Sequence, residues 1–167
     1  LEGDTTWSEG ELQFFAGPLL VNEATFTVTA DQAFINDVGS TDGTFWNAAG
    51  ATFEVDTTDL RVVIESVFDN DGTVTFTQAD TLALVLGGTT TVSVGVPSGV
   101  TLELAGSHLW DSGSDLTGTG TVLVSGGTST FTDQFSFSGA VNSSAGSMVI
   151  QPAAAFVGSV LLTAGGS

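Results

Sequence analysis

Apolar and polar residues alternate along this chain in short bursts, separated by glycine, asparagine and aspartate. Period-two alternation runs through residues 24–28, 51–55, 73–76, 100–104, 121–124 and 147–150. In an extended strand that pattern turns one set of side chains inward and sends Thr, Glu or Ser outward. The one segment with a helical flavour, residues 59–67, carries Leu60, Val62, Val63, Ile64 and Val67. Its density of β-branched side chains, which lose rotamer freedom in a helix, makes it a strand instead.

Between the bursts a corner recurs. Phe34-Ile-Asn36 leads to Gly39, Phe45-Trp-Asn47 leads to Gly50, and Phe68-Asp-Asn70 leads to Gly72. Asn47 and Asn70 stand 23 positions apart, as do Phe45 and Phe68. This is the length of one solenoid coil, so the same corner is expected again one layer on. Asn36, Asn47, Asn70, Gly50 and Gly72 are therefore read as stacked turn residues: Gly and Asn tolerate positive φ, and layered Asn side chains bond the backbone above and below. Coils of about 20 to 27 residues give six or seven layers, and at about 4.8 Å per layer a rod roughly 30 Å long. The later coils read as looser, with spacing that drifts after residue 80 and a final 30 residues that depart from the repeat. The expected fold is a single all-β domain over 1–167, a right-handed parallel β-helix, with an antiparallel β-sandwich as the alternative.

Trp7-Ser-Glu-Gly-Glu-Leu12, the run from Phe45 through Asn47 and Gly50 to Phe53, and Phe68-Asp-Asn-Asp-Gly-Thr-Val-Thr-Phe76 resemble the degenerate repeats of right-handed β-helix proteins. The nearest in flavour are autotransporter-passenger and large-adhesin repeats, similar in fold to the pectin-lyase-like superfamily. The likeness covers about half the chain, from Trp7 to about Phe76, and it implies a parallel β-helix in an extracellular protein.

Charge narrows the partners. Nineteen carboxylates face one cation, Arg61, for a formal net charge of −18. Nucleic acid and anionic membrane surfaces are held through Lys and Arg, so both are excluded as partners. Cysteine is absent, so neither a disulfide framework nor a thiolate site is available. No basic, then apolar, leader opens the sequence, and Leu1 reads as a mature or trimmed terminus. A secreted, extracellular or cell-surface location rests on the composition and on the resemblance.

Polysaccharide lyases on the resembled fold use a basic residue and calcium against an acidic sugar, and here only Arg61 is of that type. A polyuronate would also be repelled. Carboxylate pairs for glycosidic hydrolysis are Asp37 with Asp42, Asp56 with Asp59, and Asp69 with Asp71, all in turn-like contexts where Asp is expected in any case. Ser107, His108 and Asp111 lie too close in sequence for a triad, and His108 reads as a loop residue beside Trp110. The oxygen-rich, Gly-ended run Asp69, Asn70, Asp71 is a candidate calcium turn, the only cofactor the residues suggest. Trp7, Trp46 and Trp110 could offer a sugar-stacking surface, but core or end-capping positions are the expected ones.

Acidic residues are uneven. Fifteen lie in residues 1–83 and four beyond, and none of residues 134–167 is charged. An uncharged, strand-prone end in so acidic a chain suggests a covered one. Phe156, Val157, Val160, Leu161 and Leu162 are therefore candidates for contact with another subunit, or for the last layer of the chain's own core. A homo-oligomer or polymer joined through terminal coils follows from the first option. Taken together, the residues predict a non-enzymatic extracellular structural or adhesive module of a surface filament, sheath or layer. A carbohydrate-binding module with glycan contacts, or a glycoside hydrolase on a β-helix, are the alternatives.

Overall fold

The computed structural model describes residues 1–14, 17–29, 34–37, 43–57, 61–78, 81–151, 155–156 and 161–164; for residues 14, 34–37 and those after 151 it describes the backbone alone. Every strand pairing among them is parallel, no helix occurs among them, and the strands stack as a β-solenoid. Each turn of chain crosses three faces. The first carries Thr5–Trp7, Thr25–Val28, Thr52–Val55 and Thr73–Phe76, then Val94–Val96, Asp115–Gly118, Gln134–Phe137 and Ala155–Phe156. Eight strands form the second: Glu11–Phe14, Phe34–Asp37, Arg61–Glu65, Thr81–Leu84, Thr101–Leu104, Thr121–Val124, Ala140–Ser143 and Leu161–Ala164. Seven form the third: Leu19–Asn22, Thr44–Asn47, Val67–Asn70, Gly87–Thr90, Ser107–Trp110, Thr128–Phe131 and Ser147–Ile150. The seven strands of the third face agree with the expected six or seven coils, and parallel pairing throughout removes the antiparallel sandwich.

Alternation builds the core directly. Thr25–Val28, Thr44–Asn47 and Thr52–Val55 each bury every second side chain. Parallel register then sets like on like: Val62, Leu82, Leu102, Val122 and Val141 form one inward column of the second face. Ile64, Leu84, Leu104 and Val124 form the column beside it. Burying each such side chain contributes about 1.5–3 kcal/mol. Aromatic clusters fill either end of the described core. Phe53 packs against Phe26, Phe45 and Phe68 at ring separations of 5.4–5.9 Å, and Phe131 lies 5.2 Å from Trp110 and 4.8 Å from Phe135.

Coil spacing runs opposite to expectation. On the second face Phe34 pairs with Val63, 29 positions on. From Arg61 the partners are Thr81, Thr101 and Thr121, a constant step of 20, and then Ala140. The early coils are the irregular ones. Within the final 30 residues, expected to fit poorly, Ala140–Ser143 and Ser147–Ile150 pair strand for strand with the coil before them. The reason is that added residues sit in corners, where extra loop length costs little once the flanking strands are stacked.

The first face is interrupted. Thr73–Phe76 and Val94–Val96 are neighbours in space but belong to separate four-stranded sheets. The same level of the third face is also disturbed, since Gly87 and Gly88 have φ of 99° and 140° and only Thr90 pairs in register with the strand above, at Asn70. A Cβ on Gly88 would stand 2.0 Å from the Phe68 carbonyl oxygen, so no other residue fits there. Thr89 N–H instead donates to the Asp69 carboxylate at 2.9 Å.

Candidate functional site

The corner between the third and first faces is lined by asparagine. Asn22, Asn47 and Asn70 end their strands with wholly buried side chains in one column. Asn22 Nδ2 donates to Asn47 Oδ1 at 2.9 Å and to the Thr52 carbonyl at 2.9 Å; Asn47 Nδ2 donates to Asn70 Oδ1 at 2.7 Å and to the Thr73 carbonyl at 3.1 Å. The expected stacking of Asn47 on Asn70 is thus an amide ladder that bonds side chain to side chain as well as to backbone. Asn36 stands elsewhere. It lies on the second face, opposite Gln13 and Glu65. The third rung, Asn22, was legible only as Leu-Leu-Val-Asn ending a strand 25 positions before Asn47, a coil length different from the next. The ladder stops at Asn70, whose Nδ2 has no partner among the described residues and whose next column member is Thr90.

The two glycines serve different ends. Gly50 has φ of 87° and open space around it, so it is a turn glycine as expected. Gly72 is required by crowding: a Cβ there would lie 2.6 Å from the carbonyls of Ala48 and Ala51 and 2.7 Å from Asn47 Nδ2. It lets consecutive corners touch.

Strand alternation divides the candidate calcium turn. Asn70 points into the core, while Asp69 and Asp71 line the outer surface. Asp71 accepts from the Trp46 indole N–H at 2.8 Å and from the Thr91 hydroxyl at 2.5 Å, and Asp69 accepts from Thr89 N–H. The Asn70 side chain therefore cannot join the other two around one ion. Among the described residues no three of His, Cys, Asp and Glu are grouped to hold a metal.

The other candidates separate in the same way. Asp56 accepts from the Thr77 hydroxyl; the side chain of Asp37 and both Asp42 and Asp59 lie outside the described residues. Ser107 is exposed and accepts from Thr128 N–H, whereas His108 is buried and its Nε2 lies 3.2 Å from the Leu84 carbonyl oxygen. His108 is a core strand residue and not a loop residue. It sits in register below Gly88, which brings no side chain to that position. Burial lowers its pKa from 6.5 to about 4, opposed by the hydrogen bond to Leu84. Arg61 reaches across two layers, donating from Nε and Nη2 to Glu103 at 3.2 and 2.8 Å, while Ser125 holds the other oxygen of Glu103. With Arg61 half exposed, this pair contributes about 0–1 kcal/mol.

The tryptophans divide three ways. Trp110 is core, and Trp7 packs on Phe26 at the end of the stack, both as expected. Trp46 is different: it faces outward, half-buried, with Leu19, Thr44, Asp69, Asp71 and Thr89 around a shallow groove of about 550 Å³.

In the terminal segment, Phe156 pairs with Phe135, and Leu161 and Leu162 pair with Ala140 and Val141. Their backbone forms the last layer of the chain's own stack. Val157 and Val160 lie outside the described residues. Comparison with family models, with curated proteins and with solved structures gives no match.

Proposed function

We propose that this chain is a structural or adhesive extracellular module that joins copies of itself head to tail into a filament, sheath or layer. The observation that carries the reading is the eight-stranded second face, which runs the length of the described stack and has Glu11–Phe14 and Leu161–Ala164 as its two outer strands. An outer parallel strand keeps one row of backbone donors and acceptors for a further strand, and a coil added there repeats the spacing of the coils beneath. The uncharged run from 134 to 167 adds no electrostatic barrier at that end, in a chain otherwise strongly negative. The likeness of the early repeats to those of large adhesins and autotransporter passengers supports the extracellular setting.

Sedimentation and negative-stain microscopy test the reading. Purified protein is expected to form rods or sheets whose length grows with concentration, with and without calcium, and removal of residues 152–167 is expected to shorten or abolish them. Particles that stay single at every concentration, or assemblies indifferent to that deletion, would overturn it.

A further inference from the structure

The third face carries a second feature that assembly does not use. Outward positions on the third face include small polar residues, Thr44, Thr89, Thr128 and Thr130, and exposed aliphatic ones, Leu19, Leu109 and Val149. Trp46 is the one aromatic ring among these outward side chains. Its indole N–H is tied to Asp71 at 2.8 Å, which fixes the plane of a large aromatic ring at the surface. Asp71 is in turn held by the Thr91 hydroxyl, and Asp69 by Thr89 N–H, so both carboxylates are positioned before anything binds. Each carboxylate has about four lone-pair sites. With two donors on Asp71 and one on Asp69, acceptor capacity remains directed at the groove.

The groove does not stop at Trp46. Asp69 and Thr89 also line the adjoining depression of about 460 Å³, which continues over Ser107, Leu109, Thr128 and Thr130. Together the two cross successive layers along the long axis. The layer spacing of about 4.8 Å is close to the length of one pyranose in an extended chain.

We propose that this groove, floored by Trp46 and edged by Asp69 and Asp71, binds a neutral, extended polysaccharide lying along the solenoid axis. The sugar's apolar face stacks on the Trp46 ring, and its hydroxyls donate to the two carboxylates. An acidic polysaccharide is disfavoured by the net charge of −18. A cationic peptide fits less well, because a peptide does not need a fixed aromatic platform. The proposal is independent of self-assembly, since the groove lies on the side of the stack and not at its ends.

The test is titration of the full chain with cello-, laminari-, manno- and chito-hexaose, with polygalacturonate and hexalysine alongside, read by calorimetry and by the Trp46 indole N–H resonance. At least one neutral hexasaccharide is expected to bind and shift that resonance. Trp46→Ala should weaken it about tenfold or more, and Trp46→Phe, which keeps an aromatic face, should recover part of the loss. Asp69→Asn keeps an oxygen for Thr89 N–H and should weaken binding severalfold without lowering Tm. Failure of all four neutral sugars to bind, binding unchanged in Trp46→Ala, or polygalacturonate or hexalysine binding as tightly as the best neutral sugar would each overturn the proposal.

Discussion

On the N-terminal side of the interrupted first face, the corner column of the third face is Asn22, Asn47 and Asn70; on the C-terminal side the same column continues from Thr90 as Trp110, Phe131 and Ile150. The two regions stack the same kind of coil by different means. Where the amides meet, successive coils differ in length, as the 25 and 23 positions between rungs show. A direct amide bond between layers fixes the corner whatever number of residues separates its two ends. Where the column is aromatic and aliphatic, the layers are tied by backbone bonds such as Asp111 N–H to Thr90 and Thr132 N–H to Trp110, with no bond between the column's own side chains, and coil length hardly changes. Like side chains then fall on like at each strand spacing, and packing reinforces the register that the backbone ladder sets. Between the regions lies the level of Gly87 and Gly88, with an unpaired Asn70 amide and two first-face strands that do not share a ladder.

If that level separates two cooperative units, damage in one should spare the other. Phe53→Ala removes a fully buried ring that packs against three others and should cost about 3–5 kcal/mol. Native-state hydrogen exchange should then show Thr25–Val28 and Thr52–Val55 opening while Gln134–Phe137 stays protected. Loss of protection in concert along the whole chain would mean that the break has no energetic meaning.

His108 offers a sharper probe of the level itself. The neutral ring keeps its pKa near 4 when folded, against 6.5 when unfolded. Between those values the unfolded chain holds the extra proton, so the contribution to stability is complete above about pH 6.5 and falls as pH drops towards 4. The fall is on the order of 3 kcal/mol. Acid also relieves the repulsion among carboxylates, so the comparison must be with His108→Leu, which titrates everything else alike. From pH 7.5 through 5.5 to 4 the denaturant midpoint of the unaltered chain should fall relative to that of His108→Leu, and parallel slopes would count against a buried neutral imidazole.

The smallest effect concerns the ladder. Asn47→Ala leaves Asn22 Nδ2 with only its bond to the Thr52 carbonyl and takes the Asn47 donor from Asn70 Oδ1, and should cost about 2 kcal/mol or more. Asn70→Thr, which copies Thr90 one rung early, should cost under about 1 kcal/mol, because the Asn70 amide already lacks a partner and a hydroxyl can still accept from Asn47. Equal losses at the two positions would show that the ladder has no interior and no end.

Much of this was readable in the residues. The alternation at 24–28, 51–55 and 121–124 marked strands, and the 23-residue spacing of Phe45 and Asn47 to Phe68 and Asn70 predicted a register that the fold confirms. A stronger signal lay in Thr81-Leu-Ala-Leu84, Thr101-Leu-Glu-Leu104 and Thr121-Val-Leu-Val124, three near-copies at intervals of 20, which identify the C-terminal coils as the regular ones. Trp46 and Trp110 both follow or precede other large residues, and only the strand phase tells which points outward. Asp69 and Asp71 look like one site with Asn70 in the linear order because a three-residue run hides the fact that its middle member faces the other way.

By itself the sequence settled what is local: strand content, the recurring corners, the scarcity of cations and the excess of carboxylates, because these depend on residue type and on a period of two. The tertiary structure alone decided which corner each asparagine joins, where the ladder ends, and that Trp46, Asp69 and Thr89, from three successive coils, share one groove. Those facts depend on how many residues each corner absorbs, and corner length leaves almost no mark on the strands it connects.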